Sequence, residues 1–519
     1  MRKTLSVLAA SVTAAVLVAP TAHAAPGFAI TYQTIPGDGG TALKAFVIKP
    51  TARGTGPFPL LVMPSSWSLL DVEYVGAAAR LATERGFEVV SYTTRGFWDS
   101  AGQIEVAGPQ DTADQSKVID WAVANANADA SRVGLAGISY GAGISLLTAA
   151  RDKRVRAVAA MSAWADLAAS LYPNQTLSEQ TAATLLLAGD ITGRPGTNLK
   201  KLQSAYFSGD LAPVLPLAAA HGAAAYLDQI NANHPAILIG NAWEDGIFPP
   251  SQIIDFYNRL TGPKRLMLQP GDHGTTDGTG AIGLPNDTWA AAGAWFDHYL
   301  NGTDNGVDRD KPVQVKAANG GGWLGFASWQ ALGPRLNKYY LAGDGRTASK
   351  PKTGWKERIA AGVPTIADSG ILEATGIAQQ FGLPWQAPIS QIDRRYGAVW
   401  NAPASTRPTA VGGFPFLHTT VTPTANNTSL FAYLYDVGPD GVGSLITHKP
   451  YSLRNVRPGR AQTIDLRLEP IRWNLATGHH LTLVIDTMDI RYRSTSRTGT
   501  TLTFTSPASN PTYLTIPVS

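Results

Sequence analysis

Gly137-Ile138-Ser139-Tyr140-Gly141 sets a serine between two glycines, the pattern of a nucleophile held on a tight strand-to-helix turn. Such a turn needs glycine on both sides because backbone passes backbone there with no room for a side chain. In a chain with 52 glycines the pattern alone is weak, and its setting decides its weight. Val133 to Ala136 reads as a buried strand and Ala142 to Ala150 as a helix. That order would expose the hydroxyl at the C-terminal edge of a parallel sheet, at a helix N-terminus that favours developing negative charge. A serine nucleophile needs a base and a group that orients the base. The strand-like run Ala236 to Gly240 leads into Trp243-Glu244-Asp245, and the run Arg265 to Gln269 leads into Asp272-His273. Serine, acid and histidine therefore follow in that order, each after a strand of its own. Of nine histidines, His273 is the one that a short glycine-containing loop places directly after an α/β strand. Asp245 is favoured over Glu244 as the orienting acid, and Asp272 is read as shaping the turn.

Acyl transfer also needs donors for the oxyanion. The N–H of Tyr140, directly after the serine, is one candidate. The second is expected from Met63-Pro64-Ser65-Ser66-Trp67, as a serine hydroxyl or as the N–H of Ser65, Ser66 or Trp67. Trp67, Phe97, Trp98 and Trp243 are candidates to line an apolar substrate pocket. Arg95, in the loop after a strand ending at Tyr92, is expected to hold that loop through a salt bridge.

These residues need a scaffold that brings them to one edge. Pro59 to Met63, Phe87 to Tyr92, Arg132 to Ala136, Val155 to Met161, Ala236 to Gly240 and Arg265 to Gln269 read as strands. Helical patterns near 72–85 and 111–126, and after Gly141, alternate with them, which predicts a mostly parallel sheet covered on both faces. Phe28 to Val47 reads as two strands about the turn Pro36-Gly37-Asp38-Gly39-Gly40. From about 166 to 233 Ala- and Leu-rich helical stretches replace strands, as in an inserted cap. A helix over 286–300 would close this unit at residue 311. From 312 to 519 short segments such as Ser429 to Tyr435 alternate with Gly, Pro, Asn and Asp turns, which predicts an all-β sandwich or jelly roll.

Composition narrows the function. With 44% apolar and 15% charged residues in 519, the chain is globular and large enough for more than one core. A net charge of +4 is too small to argue for nucleic acid or an anionic surface. The absence of cysteine removes thiol nucleophiles, thiolate metal sites and disulfides. Arg2 and Lys3, the apolar run Leu5 to Val18, and Ala22-His23-Ala24 have the form of a signal peptide (1–24) cleaved before Ala25. The expectation is a secreted protein that acts without a metal or cofactor.

The motif set resembles the family of cocaine esterase, Xaa-Pro dipeptidyl-peptidases, α-amino-acid ester hydrolases and glutaryl acylases. The resemblance rests on Arg95-Gly96 with Ser100 and Gly102, on Asp111 and Asp114 leading to Ile119-Asp120-Trp121, and on the serine, acid and histidine stretches. Trp295-Phe296-Asp297-His298-Tyr299-Leu300 ahead of the β region extends it. It implies an α/β-hydrolase core (25–311) with a helical cap, and a C-terminal jelly roll (312–519) that helps wall the site. Two positions depart from the family pattern: Thr93 stands where an aspartate is usual, and Pro64-Ser65 where a Pro-Tyr would supply a tyrosine donor. The expected activity is hydrolysis of small ester or amide substrates or short peptides. Release of Xaa-Pro dipeptides is the alternative, and a catalytically inactive binding protein is a further one.

Overall fold

The computed structural model describes residues 27–519, so the signal-peptide stretch lies outside the described residues. Ten strands form the first sheet: β1 (Phe28–Pro36), β2 (Ala42–Pro50), β3 (Phe58–Pro64), β4 (Glu88–Tyr92), β5 (Ala128–Ile138), β6 (Val155–Met161), β7 (Ala236–Ala242), β8 (Lys264–Gln269), β9 (Val313–Val315) and β10 (Leu324–Phe326). Their order is β1-β2-β4-β3-β5-β6-β7-β8-β9-β10. The run from β4 through β3 to β9 is parallel, with antiparallel strands at both ends.

Parallel strands covered on both faces read as continuous apolar runs rather than alternating ones. β3 shows why: Leu60 and Val62 enter one core while Leu61 and Met63 enter the other. Helices α1 (Val75–Arg85), α2 (Pro109–Asn125) and α3 (Tyr140–Arg151) follow β3, β4 and β5. Between β6 and β7 the chain runs through α4 (Leu167–Leu171), α5 (Glu179–Thr192), α6 (Thr197–Ser208), α7 (Leu215–Ala220) and α8 (Leu227–Asn233), which form the cap. Then come α9 (Pro250–Arg259), α10 (Gly278–Ala281) and α11 (Asp287–Asn301). Trp295 and Phe296 of α11 pack with α1 on one face of the sheet, while Val118 and Ile119 of α2 and Leu146 of α3 pack on the other.

The first sheet runs past residue 311, because β9 and β10 continue it before the second unit begins with the strand Arg335–Leu341. The second unit is all antiparallel, a nine-stranded and a five-stranded sheet, with one short helix, α12 (Ala374–Gln380), on a long connection. Its central strand Thr428–Val437 is buried along its whole length. Leu430, Ala432 and Leu434 face the main core, and Phe431, Tyr433 and Tyr435 face a separate cluster with Ala367, Ile389 and Ile392. The strand is covered on both faces, and for that reason its sequence carries no polar alternation.

Candidate active site

The loops after β3, β4, β5, β6, β7 and β8 open at the same sheet edge, and that edge carries the site. β5 ends in a turn in which Ser139 has φ +56° and ψ −118°, backbone that a non-glycine residue adopts only under constraint. A Cβ on Gly137 would lie 2.5 Å from the Gly141 carbonyl carbon, and one on Gly141 would lie 2.0 Å from the Pro64 carbonyl oxygen. Both elbow glycines are thus required by backbone packed on backbone. Gly143 is a third: a Cβ there would sit 2.2 Å from the Trp164 ring.

His273 Nε2 stands 2.7 Å from Ser139 Oγ, and His273 Nδ1 stands 3.0 and 3.1 Å from the two Asp245 carboxylate oxygens. In the neutral form in which it can act as a base, the imidazole donates from Nδ1 to Asp245 and accepts at Nε2 from Ser139. Asp245 is anchored in turn, since its Oδ1 accepts from the N–H groups of Ile247 (3.1 Å) and Phe248 (2.7 Å). Asp272 Oδ1 accepts from the N–H of Gly246 and of His273, both at 2.8 Å, and so ties the acid loop to the histidine loop. Gly274 donates to Ser162 Oγ (3.0 Å), which donates to Asp277, fixing the far side of the same loop. The Phe248 ring meets the imidazole edge-on at 5.1 Å.

The imidazole sits among carboxylates. Burial alone would lower its pKa, but Asp245, and then Glu373 and Asp272, overcome that and hold it at about 9. Glu373 comes from the second unit, where it precedes α12 with φ +66°. Burial, and then the charges of Asp272 and Asp245, push its carboxyl up to about 8. Burial likewise brings Glu244 to about 7, although the charge of Arg491 and a hydrogen bond with Gln379 favour its ionised form. Arg491, also from the second unit, is buried and donates to the carbonyls of Gly370 and Ile371.

Loop 64–67 crosses the elbow. The N–H of Ser65 donates to Tyr92 O (2.9 Å) and its Oγ accepts from Thr94 N–H (3.1 Å). The N–H and Oγ of Ser66 both donate to Glu73, and the Oγ also reaches Ile138 O. The N–H groups of Ser65 and Ser66 and the Ser66 hydroxyl are therefore corrected as oxyanion donors, since they are committed to holding the loop, while Ser65 Oγ is turned to the Thr94 N–H and hydroxyl. The N–H groups of Trp67 and Tyr140 have no partner among the described residues.

A cavity of about 130 Å³ opens from Ser139 into the cap. Of the four aromatics expected to line it, only Trp67 does so. Trp243 is buried behind β7, donating to Lys316 O and packing on Trp329. Phe97 forms a second layer behind Trp67 and Tyr140, and Trp98 is half exposed, donating to Ser68 O. Those three are corrected as lining residues. Trp164 and Phe248 line it instead, with Leu185 and Leu186 of α5 and Leu202 of α6.

Arg95 does hold its loop, through two 2.6 Å bonds to the buried Asp114. At the departure from the family pattern, Thr93 Oγ1 lies 3.2 Å from Asp71, so a carboxylate still stands there but comes from the neighbouring loop.

Residues 38–275 match the X-Pro dipeptidyl-peptidase (S15) family, and residues 305–515 match the X-Pro dipeptidyl-peptidase C-terminal non-catalytic domain. Among solved structures, an alpha-amino acid ester hydrolase aligns with TM-score 0.78 at 14% identity, over 99% of this chain and 100% of the other. An aminopeptidase from a marine sediment Thaumarchaeota archaeon aligns with TM-score 0.74 at 15% identity, over 97% and 99%. A CocE/NonD family hydrolase from Staphylococcus aureus gives 0.72 at 12% identity, over 94% of each chain. At these identities the likeness speaks for the shared α/β-hydrolase and β-sheet fold. An uncharacterized 31.7 kDa Escherichia coli protein is 32% identical over 115 residues; the match spans 22% of this chain and 40% of that relative. The chain belongs to the X-Pro dipeptidyl-peptidase (S15) family, as a serine hydrolase with a catalytic α/β unit and the family's C-terminal β unit.

Proposed function

We propose that Ser139, His273 and Asp245 form a catalytic triad that hydrolyses ester bonds in preference to amide bonds through an acyl-enzyme. The observation that carries this is the strained Ser139 with its Oγ 2.7 Å from His273 Nε2 while Asp245 holds the opposite ring nitrogen. Ser139 Oγ attacks the scissile carbonyl and His273 takes its proton. Asp245 stabilises the resulting imidazolium, which then protonates the leaving group. Water, deprotonated by His273, attacks the acyl carbonyl and releases the acid and free Ser139. The N–H groups of Tyr140 and Trp67 receive the oxyanion, with the N-terminus of α3 adding its dipole.

One observation weighs against dipeptide release. Among the described residues no charged side chain lines the cavity beside Ser139, whereas a substrate ammonium would need carboxylates or carbonyls there. From the leader pattern of residues 1–24 we further propose that the hydrolase is exported. Sequencing the N-terminus of protein recovered from culture medium tests export, with Ala25 as the expected first residue.

The triad is tested by steady-state kinetics on p-nitrophenyl butyrate. Ser139→Ala is expected to lose at least about 10⁴-fold in kcat, with Asp245→Asn losing on the order of 10³- to 10⁴-fold. Turnover by Ser139→Ala within tenfold of wild type would overturn the assignment.

A further inference from the structure

The cavity above Ser139 has a chemical character more specific than "apolar". Five of its aromatic walls carry a polar atom, Trp67, Tyr140, Trp164, Tyr172 and Tyr206, and in all but Tyr172 that atom is bonded away from the space. Trp67 Nε1 donates to Leu185 O (2.9 Å) and Trp164 Nε1 donates to His221 O (2.8 Å). The Tyr140 hydroxyl accepts from Ala107 N–H (2.6 Å) and faces Asp111, while the Tyr206 hydroxyl donates to Glu179 (2.7 Å). Apart from Phe248 the rest of the wall is aliphatic, chiefly Leu185 and Leu186 from α5, Leu199 and Leu202 from α6, and Val214 and Leu215 before and in α7. The wall from Ser139 to the cap helices is thus largely hydrocarbon and, among the described residues, carries no charged side chain. Glu373, the carboxylate of the second unit that nears the imidazole, is not among the lining residues.

We propose that this cavity is the acyl site, and that it takes an uncharged aliphatic acyl group of about four to eight carbons. The preferred substrates would then be esters of short- to medium-chain fatty acids; this rests on the serine-hydrolase reading above. Size and chemistry both set the limits. A dry cavity of about 150 Å³ is enough to hold benzene, so 130 Å³ holds roughly a six-carbon group. An acetyl group leaves most of the wall without a partner. An α-ammonium acyl group, or the free amine of a dipeptide, would be buried against leucine with nothing to pair it, a cost its binding could not recover. Each methylene seated on this wall is worth about 0.8 kcal/mol, which is about fourfold. Because the wall continues to hold the chain in the transition state, the gain is read in kcat/KM.

The test is a chain-length series of p-nitrophenyl esters from acetate to dodecanoate on the intact protein, with Ala-Pro-p-nitroanilide as the charged comparison. kcat/KM is expected to rise about fourfold per methylene from acetyl to about hexanoyl, to fall by dodecanoyl, and to be at least a hundredfold lower for the anilide. Leu202→Trp, which fills the α6 wall, should cut the hexanoate-to-acetate ratio at least tenfold. The same esters titrated calorimetrically into Ser139→Ala read the pocket without turnover. Binding that tightens with chain length there, with wild-type turnover absent, would sink the triad reading and keep the acyl site. A flat or falling series in both proteins, or faster turnover of the anilide, overturns the acyl site.

Discussion

His273 is the residue on which the chemistry turns, and its surroundings make a prediction about pH. A base must be neutral to accept the Ser139 proton, and the carboxylates around it hold its pKa at about 9. kcat/KM for p-nitrophenyl butyrate is therefore expected to rise with pH through the weakly alkaline range and to be lost as pH falls below the imidazole pKa. Glu373 is one of the groups that raises this value, so Glu373→Gln should move the rising limb toward lower pH while leaving its shape single-step. A limb that stays in place would show that Glu373 does not act on the imidazole. The chemistry-bearing residues of the α/β unit were legible because strand, loop and residue type coincide: Ser139 after β5, Asp245 after β7 and His273 after β8. Glu373 and Arg491 were not legible, because they reach the site from the second unit and no local spacing marks them. The third glycine, Gly143, is a signal in plain view that would have pointed to Trp164.

The elements explain which residue choices are free. The elbow depends on β3 and β5 lying side by side, with loop 64–67 lying against the start of α3. Gly141→Ala must push the Pro64 carbonyl aside, and Pro64 leads directly into the Ser65–Trp67 loop. Overpacking of this kind costs about 1–3 kcal/mol or more. We expect a lower urea midpoint together with a loss of kcat larger than the loss of stability, because the oxyanion loop shifts with Pro64. Wild-type kcat in a destabilised variant would show that the loop and the chemistry are independent. The order and approximate bounds of β3 to β8, and the span of the helical cap, could be read from apolar runs and their punctuation. The lining of the cavity could not: Phe97, Trp98 and Trp243 lie in the right loops but point elsewhere, and direction within a loop is set by tertiary packing. The N–H groups of Ser65 and Ser66 and the Ser66 hydroxyl failed as donors for a related reason, since Tyr92, Glu73 and Ile138 claim their hydrogens from outside the segment.

At the scale of the whole molecule the β unit backs the triad and holds the cap, although no described residue lining the cavity comes from it. Gln180 at the start of α5 donates to Ile490 O and accepts from Leu372 N–H, and Arg493 pairs with Glu179, so the cap hangs on the second unit. Behind the triad, Arg491 is a buried cation facing Glu244, Asp272 and Glu373. Removing a buried partner of this kind costs about 3–5 kcal/mol. Arg491→Met is therefore expected to lower stability, and the sign of its pH dependence follows from the raised carboxyls. Glu244 at about 7 and Glu373 at about 8 are easily buried when protonated and costly when charged. The deficit should be small near pH 5 and grow as pH rises through 7 to 8, by urea unfolding at each pH. A deficit that shrinks as pH rises would contradict this account of the cluster.

The central claim is that Ser139 is an activated nucleophile, and fluorophosphonate labelling with mass spectrometry of the modified peptide tests it most directly. The account predicts a single adduct on Ser139, lost in Ser139→Ala and strongly slowed in His273→Ala. No adduct on protein whose circular dichroism shows the fold intact, or an adduct on another serine, would contradict it.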